Sequence, residues 1–479
     1  MTKSARAAAL LEGPVLRSLM LLAVPIILAN VLQSAYQLID AFWVGRLGDA
    51  AIAAVSISFP VIFLTIAVGS GLGIAGSILI AQYFGARNSE MVNHVAGQTM
   101  LMVVMTSLLL GAVGYVATPF LLKLMGVTPE VYAGAKGYLH VAFAGLVFSF
   151  TFIMFQSVMR GIGEMKLPIM IVFGTVIANF FLDPLFIFGW GPVPAMGVMG
   201  AALATLATQS VAALIGFAVL FGGRFGIKIS LKNFKPDLAF IRKAFFLGLP
   251  ASIEMSARAF GLIIMTFLIA SFGTMAIASY GVGSNMIQVA MIPAMGLSMA
   301  ISTLVGQNIG AGQMDRAEKI GRLGAMVSFC VLSVFGIIVF AFAPHFVAFF
   351  VPGEEDVIRT GATFLRTVSL AWGLLGVQFA LSGVLRASGN MLTTMMITII
   401  SQWVILFPLA YILSQNTSLG LNGVWWAFPI SYLIVSLVSI AIIAKGDWKK
   451  KRLVHEDETL SKKVSDEIIT EESYTGHQN

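Results

Sequence analysis

The chain has 479 residues, 58% of them hydrophobic and 11% charged, with a formal net charge of +7. A soluble domain carries roughly a quarter charged residues, so a water-soluble globule is excluded and a helical protein embedded in a bilayer is indicated. The lone cysteine, Cys330, excludes an intrachain disulfide or a cysteine metal site, and the positive excess sorts by loop in a way that reads as membrane topology, not as nucleic-acid binding.

At the N-terminus, Lys3 and Arg6 precede an Ala/Leu stretch that Glu12 and Pro14 interrupt. The apolar run after Arg17 is too long for a signal-peptide core, so it reads as a retained first span. Six spans are predicted at about 17–45, 51–82, 92–118, 138–160, 167–190 and 197–222. Six more follow at about 244–270, 276–308, 322–348, 358–385, 391–414 and 423–444. Each is of the order of 20 residues or more, the length that crosses hydrocarbon. The fold class expected is therefore all-α membrane protein, with twelve transmembrane helices. The basic stretch 223–243 divides an N-lobe (1–222, spans 1–6) from a C-lobe (244–445, spans 7–12), and a charged tail, 446–479, opens with "KGDWKKKR".

Lys and Arg concentrate in alternate loops. Arg160, Lys166, Arg224, Lys228, Lys232, Lys235, Arg242, Lys243, Arg316, Lys319, Arg322 and Arg386 share the side of the N-terminus and tail. The opposite loops hold little beyond Arg46, Lys123, Lys136 and Arg359. The positive-inside rule then puts both termini of this multi-pass plasma (inner) membrane protein in the cytoplasm.

The chain also repeats. At an offset of 225 residues, Pro25 falls on Pro250, Gly48 on Gly273, "AIA" at 51–53 on "AIA" at 276–278, Gln82 on Gln307 and Gly85-Ala86 on Gly310-Ala311. Further on, "MRGIGEM" (159–165) meets "LRASGNM" (385–391). Six spans is an even number, so the halves are parallel repeats, with substrate expected near their interface.

Residues that break the repeat point to something only one half does. Asp40 falls on Met265, Asp183 on Phe407 and Thr205 on Phe428. Asp40 is six residues inside Arg46, Asp183 seven inside Trp190 and Thr205 eight inside Gly197. At about 1.5 Å per residue the three lie at one level, with Asn179 a turn deeper on the face of Asp183. Two carboxylates, an amide and a hydroxyl at one level suit a proton or a hard cation such as Na⁺. Ionised side chains in hydrocarbon are costly and mark function. The plainer alternatives are an interfacial cap for Asp40, a kink at Asp183-Pro184, and a threonine bonded to its own helix.

The blocks "YQLIDAFWVGRLGDAAIAAVS", "RGIGEMKLP", "NFFLDPLFIFG" and "GVMGAALAT", set in twelve spans of two parallel repeats, resemble the multidrug and toxin extrusion (MATE) family over about 1–445. The resemblance implies V-shaped six-helix lobes and a secondary active antiporter, not an enzyme, that exports small organic cations against inward H⁺ or Na⁺. It implies a cation site at Asp40, Asn179, Asp183 and Thr205, and a bend in span 1 at Pro25. Pro25 also has its partner Pro250, so repeat architecture explains it equally. No cofactor is expected beyond the coupling ion, no nucleic-acid partner, a lipid environment and a monomer.

Glu254, with Arg258 one turn on, is a second deep acidic residue. It reads either as an intrahelical ion pair or as a substrate or proton site. Family members that pair such a Glu with a span 10 Asp differ here, where that span offers only Gln378. Met159, Met265, Met286, Met291 and Met295 read as adaptable lining or as ordinary filler. The five histidines are scattered and no nucleophile or phosphate-loop motif appears among the spans. The alternative transport function is a lipid-linked oligosaccharide flippase of the same wider superfamily, which would be expected to show more intramembrane basic residues.

Overall fold

The computed structural model describes residues 10–223 and 225–454. Lys3, Arg6, Arg224 and the tail beyond 454, with His455 and His477, lie outside the described residues. Hydrocarbon offers no partner to a backbone N–H or C=O, so the apolar segments satisfy these groups internally as helices. The order is α1 (Val15–Gly45), α2 (Asp49–Gly85), α3 (Ser89–Leu124), α4 (Pro129–Ala144), α5 (Leu146–Gly161), α6 (Lys166–Phe188) and α7 (Val198–Gly222). The second half follows with α8 (Leu238–Ala270), α9 (Thr274–Gly310), α10 (Met314–Phe350), α11 (Glu355–Ser369), α12 (Trp372–Ala387), α13 (Met391–Ile399), a π-helical stretch Ile400–Leu406, α14 (Phe407–Gln415) and α15 (Leu421–Lys445).

Among the described residues, ten continuous helical segments are long and apolar enough to cross a bilayer. Two bent pairs, α4 with α5 at 50° and α11 with α12 at 49°, bring the spans to twelve. Hydropathy predicts each bent pair as one straight span, 138–160 and 358–385, because no proline or charge interrupts the apolar run at the bend. Helix instead begins at Pro129 and Glu355 and breaks at Gly145 and at Leu370–Ala371. Gly145 and Leu370 stand 225 residues apart, the offset of the repeat. The same offset recurs in the turns that start α2 and α9. Gly48 and Gly273 take φ of +100° and +94° there, backbone that a side chain would strain.

By packing, residues 28–252 with 453–454 form one unit and residues 10–27 with 253–452 form another. The division falls inside spans 1 and 7, next to Pro25 and Pro250, instead of in the 223–243 segment. Its two crossing points, Leu28 and Ile253, again differ by 225. A proline inside a helix removes a backbone hydrogen bond, and α1 and α8 each carry theirs without ending.

In the first unit, Ala54, Leu122, Val131, Ala135, Leu139 and Phe143 knit α2, α3 and α4 together. A smaller cluster of Val44, Ala51, Ile187 and Ala201 ties the end of α1 to α6 and α7. In the second unit the core is aromatic, with Phe364 and Trp425 ring centroids 4.3 Å apart and Trp372 fully buried.

The α6–α7 hairpin sets the site. Its turn is pinned by Met196 N–H to Phe186 O at 3.0 Å and Gly197 N–H to Ile187 O at 3.1 Å. Gly200 lets the two backbones touch, since a Cβ there would lie 2.4 Å from Phe186 O. Gly423 does the same against Leu413 O, also at 2.4 Å, in the second unit.

Candidate functional site

Each acidic residue is presented by a helix that packs against its neighbours close to the site. Trp43 of α1 packs edge-on against Phe180 and Phe188 of α6, with centroids 5.9 and 6.2 Å away. That contact holds the Asp40 turn of α1 against the Asn179–Asp183 face of α6. Arg46, at the end of α1, lies over the rings of Phe42 and Trp43 and not over the carboxylates.

The level predicted by counting residues is met by contact. Asn179 Nδ2 donates to Asp40 Oδ1 at 2.5 Å and to Asp183 Oδ2 at 2.8 Å. Thr205 Oγ1 of α7 donates to Asp40 Oδ2 at 3.4 Å. All four side chains named from the sequence therefore converge, from α1, α6 and α7. Asn179 and Asp183 are fully buried. Asp40 is partly exposed, as is Thr205, so the group is open on the Asp40 side.

Two features of this cluster bear on its chemistry. Neither carboxylate has a basic side chain as a hydrogen-bond or ion-pair partner among the described residues. Asn179 Oδ1 and Asp183 Oδ1 are buried and accept no hydrogen bond. Two carboxylates, an amide and a hydroxyl thus gather with up to two uncompensated negative charges, groups of the type that bind a hard cation or share a proton. Among the described residues no group of three or more His, Cys, Asp or Glu gathers.

Sequence reasoning missed two supports. Tyr36, one turn before Asp40 on α1, bonds Thr208 Oγ1 at 2.7 Å, and Thr208 lies three residues past Thr205 on α7. Spacing of four and three on one face was the available signal. Tyr138 of α4 packs on the Val44–Ile187 cluster beside the site.

In the second unit the equivalent positions are filled. Met265 and Phe428 are buried in the aromatic core and Phe407 packs on it. Met265 and Met286 belong to that core, Met291 and Met295 pack against it, and Met159 is fully buried. Of the two readings of these methionines, filler is the one their packing favours.

Glu254 is 2% exposed. It pairs with Arg258 at 3.1 Å, as its spacing allows, and also with Arg386 of α12 at 2.6 Å. Thr398 of α13 donates to the same Oε1 at 3.2 Å. Gln378 is buried but makes no hydrogen bond to this cluster, and its Oε1 has no partner. Of the three residues grouped there from sequence, the structure joins Glu254 and Arg258 and leaves Gln378 apart. Arg386 and Thr398, distant in the chain, carried no local signal.

The MatE family model matches residues 25–185 and again 250–412. A probable multidrug resistance protein, YoeA of Bacillus subtilis, is 31% identical over 91% of this chain and 95% of its own length. The multidrug export protein MepA of Staphylococcus aureus is 27% identical over 90% of this chain and 94% of its own. Among solved structures, a MATE protein crystallised with the ligand MaL6 superposes with a TM-score of 0.86 at 24% identity, covering 93% of this chain and 99% of that one.

Proposed function

Because the chain belongs to the MatE family of membrane transporters, we propose that it exports small organic molecules, cationic drugs among them, in exchange for H⁺ or Na⁺ entering at Asp40, Asn179, Asp183 and Thr205. The observation that carries the exchange is the single amide hydrogen-bonded to both carboxylates, with no basic side chain to balance them. Held at this distance, two ionised carboxylates repel, and a proton or a monovalent cation relieves the repulsion. Each state of the site therefore favours its own arrangement of α1 against α6 and α7, and ion binding can bias transport only through that difference.

The steps follow from these side chains. With both carboxylates ionised, Asp40, the partly exposed member, receives the ion first. Asn179 keeps Asp183 within reach, so the charge is then shared by both. Neutralisation lets α1 move closer to α6, and the bend at Pro25 gives the helix its freedom to do so. Release of the ion on the cytoplasmic side restores the starting state. The positive-inside pattern supports an inner-membrane location with cytoplasmic termini. A flippase for lipid-linked glycans is the weaker reading, since the relatives it matches are named for multidrug resistance and multidrug export.

The test is transport in proteoliposomes with a fluorescent organic cation, under an imposed pH gradient and then an imposed Na⁺ gradient. One of the two should drive transport in the wild type, and neither in Asp40→Asn or Asp183→Asn. Gradient-driven transport at wild-type rates in both variants rejects the site.

A further inference from the structure

The second unit holds an ionisable cluster that the exchange of H⁺ or Na⁺ does not use. Three helices converge on one oxygen, Glu254 Oε1, through Arg386 Nη2 at 2.6 Å, Arg258 Nη2 at 3.1 Å and Thr398 Oγ1 at 3.2 Å. Arg258 Nη2 also bonds Thr398 Oγ1 at 3.1 Å, which closes the network. One carboxylate against two guanidiniums leaves an excess of one positive charge, and no further acidic partner appears among the described residues.

The donors are also in excess. A guanidinium carries five N–H groups. Arg258 uses its Nη2, and its Nε and Nη1 meet no acceptor among the described residues. Arg386 spends Nη2 on Glu254, while its Nε is buried with no partner. Unsatisfied buried donors on a charged group are costly. Both side chains keep some exposure, 25% for Arg258 and 16% for Arg386. Arg258 lies 4.9 Å over the Phe379 ring, which fixes the plane of its fork. A positive excess on membrane-spanning helices faces protein or water in preference to lipid tails.

Local structure is shaped to this cluster. Thr398 stands two residues before the π-helical stretch Ile400–Leu406, whereas the matching helix of the first unit, α6, is α-helical throughout. π turns gather at functional sites. Gly261 of α8 has no room for a side chain, since a Cβ would lie 2.4 Å from the Gln402 side chain. The π stretch is thereby held close against α8.

We propose that Arg258 and Arg386, oriented by Glu254, form a receptor for an anionic oxygen group, a carboxylate or a phosphate, borne by an amphipathic molecule. Glu254 is a positioning residue whose loss of charge would free both forks. The transported compounds would then include molecules that carry an acid group beside an apolar body, in addition to plain cations. The anionic group can come from such a compound or from a lipid head group. The inference rests on the transport reading only for its cargo; binding itself needs no gradient.

The experiment uses the full-length protein in phosphatidylcholine nanodiscs, with a rhodamine bearing a free carboxylate and its methyl ester, which differ in that charge and in one methyl group. Wild type should bind the free acid about tenfold more tightly than the ester, the scale of one charge-assisted hydrogen bond. Arg258→Gln and Arg386→Gln should erase the preference while still binding the ester. Arg258→Lys, which keeps the charge but not the fork, should retain part of it and serves where a Gln variant binds neither dye. If replacing part of the lipid by phosphatidylglycerol removes the wild-type preference, a head group occupies the receptor; if the preference survives, the receptor serves cargo. Equal affinity for the two dyes in wild type overturns the proposal. Loss of gradient-driven transport in the unit 1 variants leaves this binding test untouched, so the two readings fail separately.

Discussion

Replacing Asp183 with asparagine keeps the volume of the side chain and removes one charge. Asp183 Oδ2 and Asp40 Oδ1 lie 2.8 and 2.5 Å from the same nitrogen, so these oxygens are no more than about 5 Å apart. Two unit charges at about 5 Å repel by about 3 kcal/mol at an effective dielectric near 20. A bound cation or proton would relieve that repulsion, which on the proposed exchange is the drive for ion uptake. Without the second charge, ion affinity should fall by roughly two decades. The assay is the initial rate of gradient-driven dye transport across a range of coupling-ion concentrations. Asp183→Asn should move the half-saturating concentration up by about a hundredfold, or out of reach. Binding of a cationic dye without a gradient should survive, which separates a coupling defect from misfolding. An unchanged ion dependence in a well-inserted Asp183→Asn protein would refute the reasoning, because the repulsion would then have no part in the cycle.

Three further outcomes follow from the same geometry. Thermal unfolding of the detergent-purified wild type should shift upward when the coupling ion is added, and Asn179→Ala, which removes the bridge, should shrink that shift; an equal shift in both would show that the amide is dispensable. Gly200→Val puts a side chain where only 2.4 Å separates a Cβ from Phe186 O, and should lower the melting temperature by several degrees, in line with about 1–3 kcal/mol for overpacking, with transport lost; wild-type melting would mean that the α6–α7 hairpin tolerates separation. Glu254→Gln leaves two guanidiniums without their anion and should destabilise by about 3–5 kcal/mol, measured as a fall in melting temperature, while the ion dependence of the surviving protein stays as in wild type; normal stability with an altered ion dependence would instead make Glu254 a coupling residue.

The acidic site was legible because it violates the repeat. A scaffold shared by two halves should use like residues at like positions, so Asp40 against Met265 and Asp183 against Phe407 stood out before any coordinates. Helical rise then put them at one depth. The bends at Gly145 and Leu370–Ala371 were not legible, because hydropathy sums side chains over a window and is blind to the direction of a helix axis. The crossing of α1 and α8 between the packed units was hidden for a related reason. It depends on which neighbours the two ends of one straight apolar helix touch, and composition does not record neighbours.

The second arginine of the cationic cluster escaped for the opposite reason. Arg386 obeys the repeat, since it falls on Arg160 when "LRASGNM" meets "MRGIGEM", and the sequence placed it only among the basic residues of the cytoplasmic side. Packing gives the two arginines different work. Arg160 donates to Ser77 and Ser157 within its own unit, whereas Arg386 reaches Glu254, a residue with no acidic counterpart at the 225-residue offset, where Ala29 stands. A conserved-looking position thus acquires its chemistry from a partner on another helix. Duplication supplied one six-helix plan twice, and each copy then received a polar cluster of its own sign: a pair of carboxylates lacking a cation in one, a pair of guanidiniums with one carboxylate too few in the other. On the two proposals, opposite signs would let the units answer to different ligands, an inorganic cation or proton in the first and an acid group in the second. Coupling between them would therefore not require the ion and the cargo to compete for the same side chains.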